Sequence, residues 1–345
     1  MTIARSLTVA EGQAACYHLI SRCVRRAFLC GEAAEHRREW IARGLAAQAK
    51  TFAIEVLAYS VMANHLHVVI RIDPFLAISW NDLNVTERWA ALFPHTDEDG
   101  IEVPWSPEEI ERQAQNLSWV MEIRKRLTSV SWFMKILKER VARRANREDK
   151  CTGHFWEGRF TSVRLLDQAA VIACMAYVDL NPIRAAIAKT PEDSAYTSIQ
   201  LRITTRQTAA RVAALAVSVP AAAPPSSASL PEDGLWLSPL ARCICPPPEG
   251  AAAPFPISLD EYLELVDATG RILKTGKRGS IPKYLLPILT RLKIDAERWI
   301  DLMLRKEGFW GTAIGSALNR ATEAARRGVK WIAEKICIHA PEVVT

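Results

Sequence analysis

The sequence predicts an α+β protein, and three features of its 345 residues carry that expectation. Two runs, ACYHLISRCV at 15–24 and FAIEVLAYSVMANHLHVVIRI at 52–72, are rich in the β-branched and aromatic residues that favour strands. Between them, GEAAEHRREWIARGLAAQAK at 31–50 reads as a polar helix, giving a β-α-β order. Beyond residue 73, helical spacing dominates.

The later elements follow in order. Residues 74–121, which include WSPEEIERQAQ, carry nine acidic and two basic side chains and read as an acidic helical insertion. SWFMKILKERVARRANR (131–147) places Phe133, Ile136, Leu137 and Val141 at helical spacing, with arginines in its later turns. GHFWEGRFTSVRLL (153–166) leads into a further helix, AAVIACMAYVDLN (169–181). Residues 206–256 hold ten of the nineteen prolines and thirteen alanines, which predicts an extended or poorly ordered linker. From 257 to 345, runs such as SLDEYLELVDATGRILKTG and NRATEAARRGVKWIAEKI predict a separate, basic, all-helical domain. The scheme is a domain at 1–205 containing the insertion, a linker at 206–256 and a second domain at 257–345. No internal repeat is visible.

Composition narrows the function classes. Hydrophobic content of 49% and charged content of 24% describe a soluble globular chain. No run approaches the ~18 consecutive apolar residues of a membrane span, and the first residues lack the apolar core of a signal peptide. The eight cysteines form no C-x-x-C pair, Cys243 and Cys245 coming nearest, so reduced thiols in a cytoplasm are expected. Charge is sorted into blocks: residues 122–164 carry twelve basic and five acidic side chains, and 271–335 carry fifteen and six. Such blocks fit a polyanion-facing surface, and also a solvated helix face.

The stretch NHLHVVI (64–70) sets two histidines one residue apart in an apolar run. On a strand, His65 and His67 share one face, while Leu66, Val68 and Ile70 share the other. Two imidazoles about 7 Å apart along a strand can bind one divalent ion if a third group arrives from elsewhere. The same pattern fits one core imidazole beside one exposed imidazole. In AYVDLNPIRAAI (176–187), Tyr177 and Asn181 fall on one helical face, one turn apart. A tyrosine beside a metal can attack a polarised phosphodiester, and the Asn181 amide oxygen can join the ligand set. Asn-Pro fits a helix N-cap followed by proline equally well, and Tyr177 also fits a packed aromatic.

Four pieces, in order, resemble one family. YHLISRCVRR (17–26), YSVMANHLHVVI (59–70), GHFWEGRFTS (153–162) and AYVDLNPIRAA (176–186) are similar to segments of the HUH-superfamily single-tyrosine transposases of bacterial insertion sequences, especially the REP-associated tyrosine transposases. The resemblance spans residues 17 to about 200, interrupted by the acidic insertion. Ala63 stands where the family often has Pro, Ala186 where it has Gly, and Glu157 where Gln is common. The resemblance implies a ferredoxin-like antiparallel sheet with helices. It implies His65 and His67 as metal ligands with Asn181 near the metal, and Tyr177 as nucleophile. The implied activity is cleavage and rejoining of single-stranded DNA beside hairpins, through a 5′-phosphotyrosine and a free 3′-hydroxyl. A homodimer fits the resemblance, the long insertion and the extra domain fit a monomer equally well, and a bacterial, nucleoid-associated location also follows from it.

The chemistry is consistent with that implication. A phenol of pKa ~10 is only about 0.1% ionised at pH 7, so a divalent cation on the phosphate has a role to fill. Mg²⁺ or Mn²⁺ suits a set of two imidazoles, an amide oxygen and a phosphate oxygen. Arg140, Arg143, Arg144, Arg147 and Arg159 then become candidates to hold a DNA backbone, and Phe155 and Trp156 to stack on bases or to pack in the core. The basic loop GRILKTGKRGSIPK (270–283) is a second candidate DNA contact, or a solvated surface. His18, His36, His95 and His154 show no matched spacing and read as ordinary, and Tyr196 reads as packing. The alternative function is a non-cleaving DNA-binding protein, a repressor or architectural factor, on the same fold. A nuclease using metal-activated water would cleave without Tyr177. A two-histidine phosphoesterase is excluded, because it needs two His-x-Thr/Ser motifs and only one histidine pair is present.

Overall fold

The computed structural model describes residues 8–10, 12–99, 101–217, 236–240, 257–274, 284, 286–291, 294–304, 311–333, 335 and 338. Its first half contains β1 (Ala15–Arg22), α1 (His36–Thr51), β2 (Ile54–Val61), β3 (His65–Ile72), α2 (Pro74–Ser79), α3 (Asp82–Leu92), β4 (His95–Thr96), β5 (Glu102–Val103), α4 (Pro107–Ala114), α5 (Leu117–Leu127) and α6 (Val130–Glu148). There follow β6 (Thr161–Leu165), α7 (Gln168–Asp179), α8 (Asn181–Arg184), α9 (Ser198–Val217), α10 (Leu259–Lys274), α11 (Leu286–Arg291), α12 (Ala296–Leu304), β7 (Ala313–Ile314) and α13 (Ala317–Arg326).

One sheet organises these elements, in the order β2-β3-β1-β6-β7. The first four strands pair antiparallel, and β7 joins the edge parallel to β6. The sheet is therefore mixed, where an antiparallel one was expected. The extra strand comes from the C-terminal region, which is thus not purely helical. Alternation along the strands divides the side chains as period-2 geometry requires. Tyr17, Leu19, Leu66, Val68 and Ile70 pack with α1 and α6 on one face, while Cys16, Ile20, Val69, Val163 and Leu165 pack with α7 on the other. A bulge between Val56 and Ala58 breaks the β2 alternation, so that Leu57 and Ala58 both join the α7 side.

Helix α7 is buried on all sides from Ala169 to Asp179. An apolar helix with no polar face needs cover all round. The sheet supplies one side, and α10 and α12 supply another through Tyr262, Leu265, Trp299 and Met303, which share its core. Helix α9 runs on to Val217, past the expected boundary at 205. The rest of the Pro/Ala-rich segment is described only at 236–240, where the Ser238 N–H donates to the Val56 carbonyl at 2.9 Å and Trp236 stacks on Tyr59. Of the basic loop at 270–283, the first residues end α10, and 275–283 lie outside the described residues.

The acidic insertion is locally well specified. Ser106 and Glu109 form a capping box at the start of α4, with Pro107 at its first turn. Arg124 on α5 donates to the Trp80 carbonyl at 2.6 Å and to Asp82 at 2.8 Å, tying α5 to the α2–α3 junction.

The short α8 ends in a Schellman turn, with Ala186 N–H donating to the Ile183 carbonyl and Ile187 N–H to the Pro182 carbonyl. Ala186 takes the left-handed conformation this turn requires, with φ 56°. That conformation costs an L-residue about 1–2 kcal/mol relative to the right-handed one. Ala186→Gly is expected to raise the unfolding free energy by about 0.5–1 kcal/mol, after the greater freedom of glycine in the unfolded chain is deducted. A urea melt measures this, and a loss of stability would contradict the left-handed turn.

Candidate functional site

The site is built on the α7 face of the sheet. The Asp167 carboxylate caps α7 by accepting the Ala170 N–H at 2.9 Å, which fixes where the helix starts. Two and a half turns later, Tyr177 faces the strand that carries the histidines. The His67 and Tyr177 rings lie edge to face, with centroids 6.3 Å apart, and His65 lies 4.9 Å beyond His67 at a right angle. His67 and Tyr177 are each 2% exposed. Leu180 keeps helical dihedrals between α7 and α8, so Asn181 stands one turn after Tyr177. Asn181 is buried, and its Nδ2 has no hydrogen-bond partner among the described residues. The predicted His65, His67, Tyr177 and Asn181 thus belong to one sheet face and the helix packed on it.

Three further residues complete the surroundings. His18, fully buried on β1, lies with Nε2 2.9 Å from Nδ1 of His67, and the two rings stack at 5.0 Å. Burial, and secondarily the adjacent His67, push His18 well below the ordinary imidazole range, so it is neutral. Asn64 Oδ1 lies 2.6 Å from Nδ1 of His65. The Arg184 guanidinium sits over the face of Tyr177, 3.9 Å from the ring centroid. The expectation that His18 is ordinary is corrected by this contact. Its link to His67 exists only through β1–β3 pairing, for which the sequence offers no spacing rule. His36 pairs with Glu148, His95 stacks on Trp105, and His154 is exposed.

Asp179 holds the end of the tyrosine helix. It is fully buried and accepts hydrogen bonds from the Ser198 hydroxyl, from the Ile199 N–H at 2.9 Å and from the Tyr262 hydroxyl at 2.6 Å. Burial pushes its carboxyl up to about 6, against the hydrogen bonds from Ser198 and Tyr262, the charge of Arg202 and the Ile199 N–H. Tyr262 belongs to α10, so this carboxylate joins the C-terminal helices to α7. Nothing in the spacing of Asp179 and Tyr262 could have signalled it.

The expected DNA-contacting arginines of α6 lie elsewhere. Helix α6 packs on the sheet face opposite the histidines. On it, Arg140 donates to the Leu92 carbonyl, Arg143 pairs with Glu139, and Arg144 lies 3.9 Å over the Trp40 ring. Arg147 is exposed. Arg159 is also exposed, and its segment leaves the sheet beside Arg22: the Glu157 N–H donates to the Arg22 carbonyl at 2.9 Å. Arg22 is in turn the register partner of His65. Phe155 and Trp156 are both buried, and the Trp156 indole N–H donates to the Lys138 carbonyl. Their ring faces are covered by core neighbours.

Among the described residues, no group of three or more His, Cys, Asp or Glu is arranged to hold a metal ion. The expected set has two histidines and an amide, so it does not require such a group. Among the same residues, no helix is long and apolar enough to cross a membrane.

No family model matches the chain, and no curated protein matches it. A solved structure described as that of a REP-associated tyrosine transposase bound to a REP hairpin is similar over 66% of this chain and 96% of that one, with 12% identity and a TM-score of 0.34.

The raised carboxyl of Asp179 has a definite sign in stability. Between the ordinary value of 3.8 and about 6, the folded chain keeps a proton that the unfolded chain has lost. Its contribution to stability therefore falls as pH rises through that window and is level above it. Asp179→Asn removes the effect. The unfolding free energy of the natural chain relative to this variant is expected to drop by about 2 kcal/mol between roughly pH 4 and pH 7. Denaturant melts at both pH values measure it, and a difference that does not change with pH would contradict the buried, raised carboxyl.

Proposed function

We propose that this chain is a transposase-like enzyme that cleaves and rejoins single-stranded DNA near hairpins through a 5′-phosphotyrosine intermediate. The carrying observation is the edge-to-face placement of Tyr177 against His67, with His65 alongside, on one face of the sheet. The β1-α1-β2-β3-α6-β6 order, with strands arranged β2-β3-β1-β6, supports reading this core as ferredoxin-like, with β7 added at the edge.

In the cleavage step, Tyr177 Oη attacks phosphorus as the P–O3′ bond breaks. The phenol gives up its proton, and the departing 3′ oxygen takes one up. A phosphodiester is exchanged for a phosphodiester, so rejoining by the freed 3′-hydroxyl is the same step reversed. With one tyrosine in the AYVDLN motif, a second transfer uses this 3′-hydroxyl or a second protomer.

The residues present fit a divalent cation, Mg²⁺ or Mn²⁺. Two imidazoles share a face, and the orphaned Asn181 Nδ2 marks a buried position where a turned amide would offer its oxygen instead. His65, His67 and Asn181 would hold the ion. When bound, it supplies Lewis-acid polarisation of the phosphate. Arg184, stacked on Tyr177 and partly exposed, is placed to meet a phosphate arriving at the phenol. The exposed Arg159, beside Arg22 at the His65 end of the sheet, is the best placed of the expected DNA contacts. Arg143 and Arg147 remain as backbone contacts on a more distant surface. A homodimer and a bacterial nucleoid location belong to the same proposal.

One observation favours the second reading, a non-cleaving DNA-binding protein: Tyr177 is 2% exposed, so a strand reaches it only after its cover moves. A denaturing gel separates the two. A labelled hairpin-bearing single strand with Mn²⁺ is expected to give a covalent protein–DNA band. Tyr177→Phe should abolish the band, and His67→Ala should reduce it by more than about 100-fold. Hairpin binding without cleavage in any metal would establish the second reading, and cleavage surviving Tyr177→Phe would make water the nucleophile.

A further inference from the structure

Each imidazole on β3 has its Nδ1 held by a neighbour, and the two neighbours come from different elements. At His65 the neighbour is Asn64, whose amide orientation is fixed from its other end. Nδ2 of Asn64 donates to the Arg26 carbonyl at 3.1 Å, which leaves Oδ1 facing Nδ1 of His65 at 2.6 Å. An amide oxygen only accepts, so His65 carries its proton on Nδ1 and its lone pair on Nε2.

The Arg26 carbonyl is presented by an unusual turn. Arg25 and Arg26 are successive left-handed residues, with φ 54° and 55°. Non-glycine residues adopt that conformation only against a steric penalty between Cβ and the following carbonyl oxygen. Backbone bonds hold the turn against the β2–β3 connection: the Cys23 N–H donates to the Asn64 carbonyl, and the Cys30 N–H to the Ala63 carbonyl, both at 2.8 Å. Strain retained beside a candidate site marks a conformation that its surroundings enforce.

At His67 the neighbour is His18. On the central strand β1, His18 pairs with Val69 on one side and Val163 on the other, so it is held between two strands. The 2.9 Å contact between His18 Nε2 and His67 Nδ1 holds one shared proton between two rings. If His67 donates it, Nε2 of His67 becomes a lone-pair donor. If His18 donates it, that nitrogen is blocked. Histidines that bind metals characteristically donate their other ring N–H to a fixed acceptor.

We propose that Asn64 and His18 are positioning residues that set His65 and His67 in the same tautomer, Nδ1–H, so that both Nε2 atoms offer lone pairs to one divalent cation. The proposal rests on reading His65 and His67 as metal ligands. It adds that their selectivity for the ligand role is built by the turn at 25–26 and by β1, outside the His-x-His motif.

The test begins with metal-free, ¹⁵N-histidine-labelled full-length protein and long-range nitrogen–proton correlation spectra, which report each ring's tautomer. Nδ1–H at both His65 and His67 is the expected result, and a proton on Nε2 of His67 overturns the proposal. Mn²⁺ binding is then followed by electron paramagnetic resonance. His18→Leu and Asn64→Leu are each expected to weaken Mn²⁺ binding about 10–100-fold. His18→Gln, which keeps an accepting oxygen, should stay within a few-fold of the natural chain. Equal weakening by His18→Gln and His18→Leu, or none by either, overturns the positioning role. If the natural chain binds no Mn²⁺ at all, the metal reading fails and the proposal with it. The metal-free spectra distinguish that failure from a failure of tautomer control.

Discussion

Because β1 and β3 pair antiparallel, with Ile20 opposite His67 and Arg22 opposite His65, three histidines from two separate stretches of chain arrive on one face of the sheet. A shift of this pairing by one residue would send His18 to the opposite face and bury Leu19 and Tyr17 against α7. The register is secured by what lies behind it. Tyr17, Leu19, Leu66, Val68 and Ile70 fill the core under α1 and α6, and exchanging them for their neighbours would place arginine and histidine there. The geometry of the candidate site is therefore a by-product of a core that does not touch it.

The second constraint is the enclosure of α7. A helix buried on every side is held in one place, which gives Tyr177 a defined position against His67, and also seals it from a large substrate. The clamp that ends this helix is a buried carboxyl held by hydrogen bonds. Asp179 accepts from Ser198, Ile199 and Tyr262 in a setting that burial makes unfavourable for its charge. Such a group contributes less to stability than to location: its acceptor demands are met in one arrangement of α7, α9 and α10. Arg184, partly exposed, lies over the phenol ring of Tyr177 and forms part of its cover.

The sequence made a large part of this legible, and the reasons are local. Alternation in HLHVVIRI put His65 and His67 on one face and their apolar neighbours on the other, because strand periodicity is a property of adjacent residues. Helical spacing likewise set Asn181 one turn from Tyr177. What stayed hidden needed contacts between distant segments. His18 looked ordinary because its partner is 49 positions away across a strand pair. Asp179 gave no signal because its clamp comes from the start of α9 and from Tyr262, 83 residues further on. The basic run of α6 suggested a DNA surface at the site, yet apolar spacing alone could not say which sheet face that helix would cover. Phe155 and Trp156 met the same ambiguity, and the core took them. The parallel strand β7 escaped notice because two residues carry no period.

In the proposed reaction, Tyr177 becomes covalently joined to DNA at a site built by His65 and His67. Peptide mass spectrometry locates that bond directly. After incubation with a hairpin-bearing single strand and Mn²⁺, followed by nuclease trimming, a nucleotide attached through its 5′-phosphate to the peptide containing Tyr177 is expected. Cleaved DNA with no modified peptide, or a nucleotide on any other residue, would contradict it.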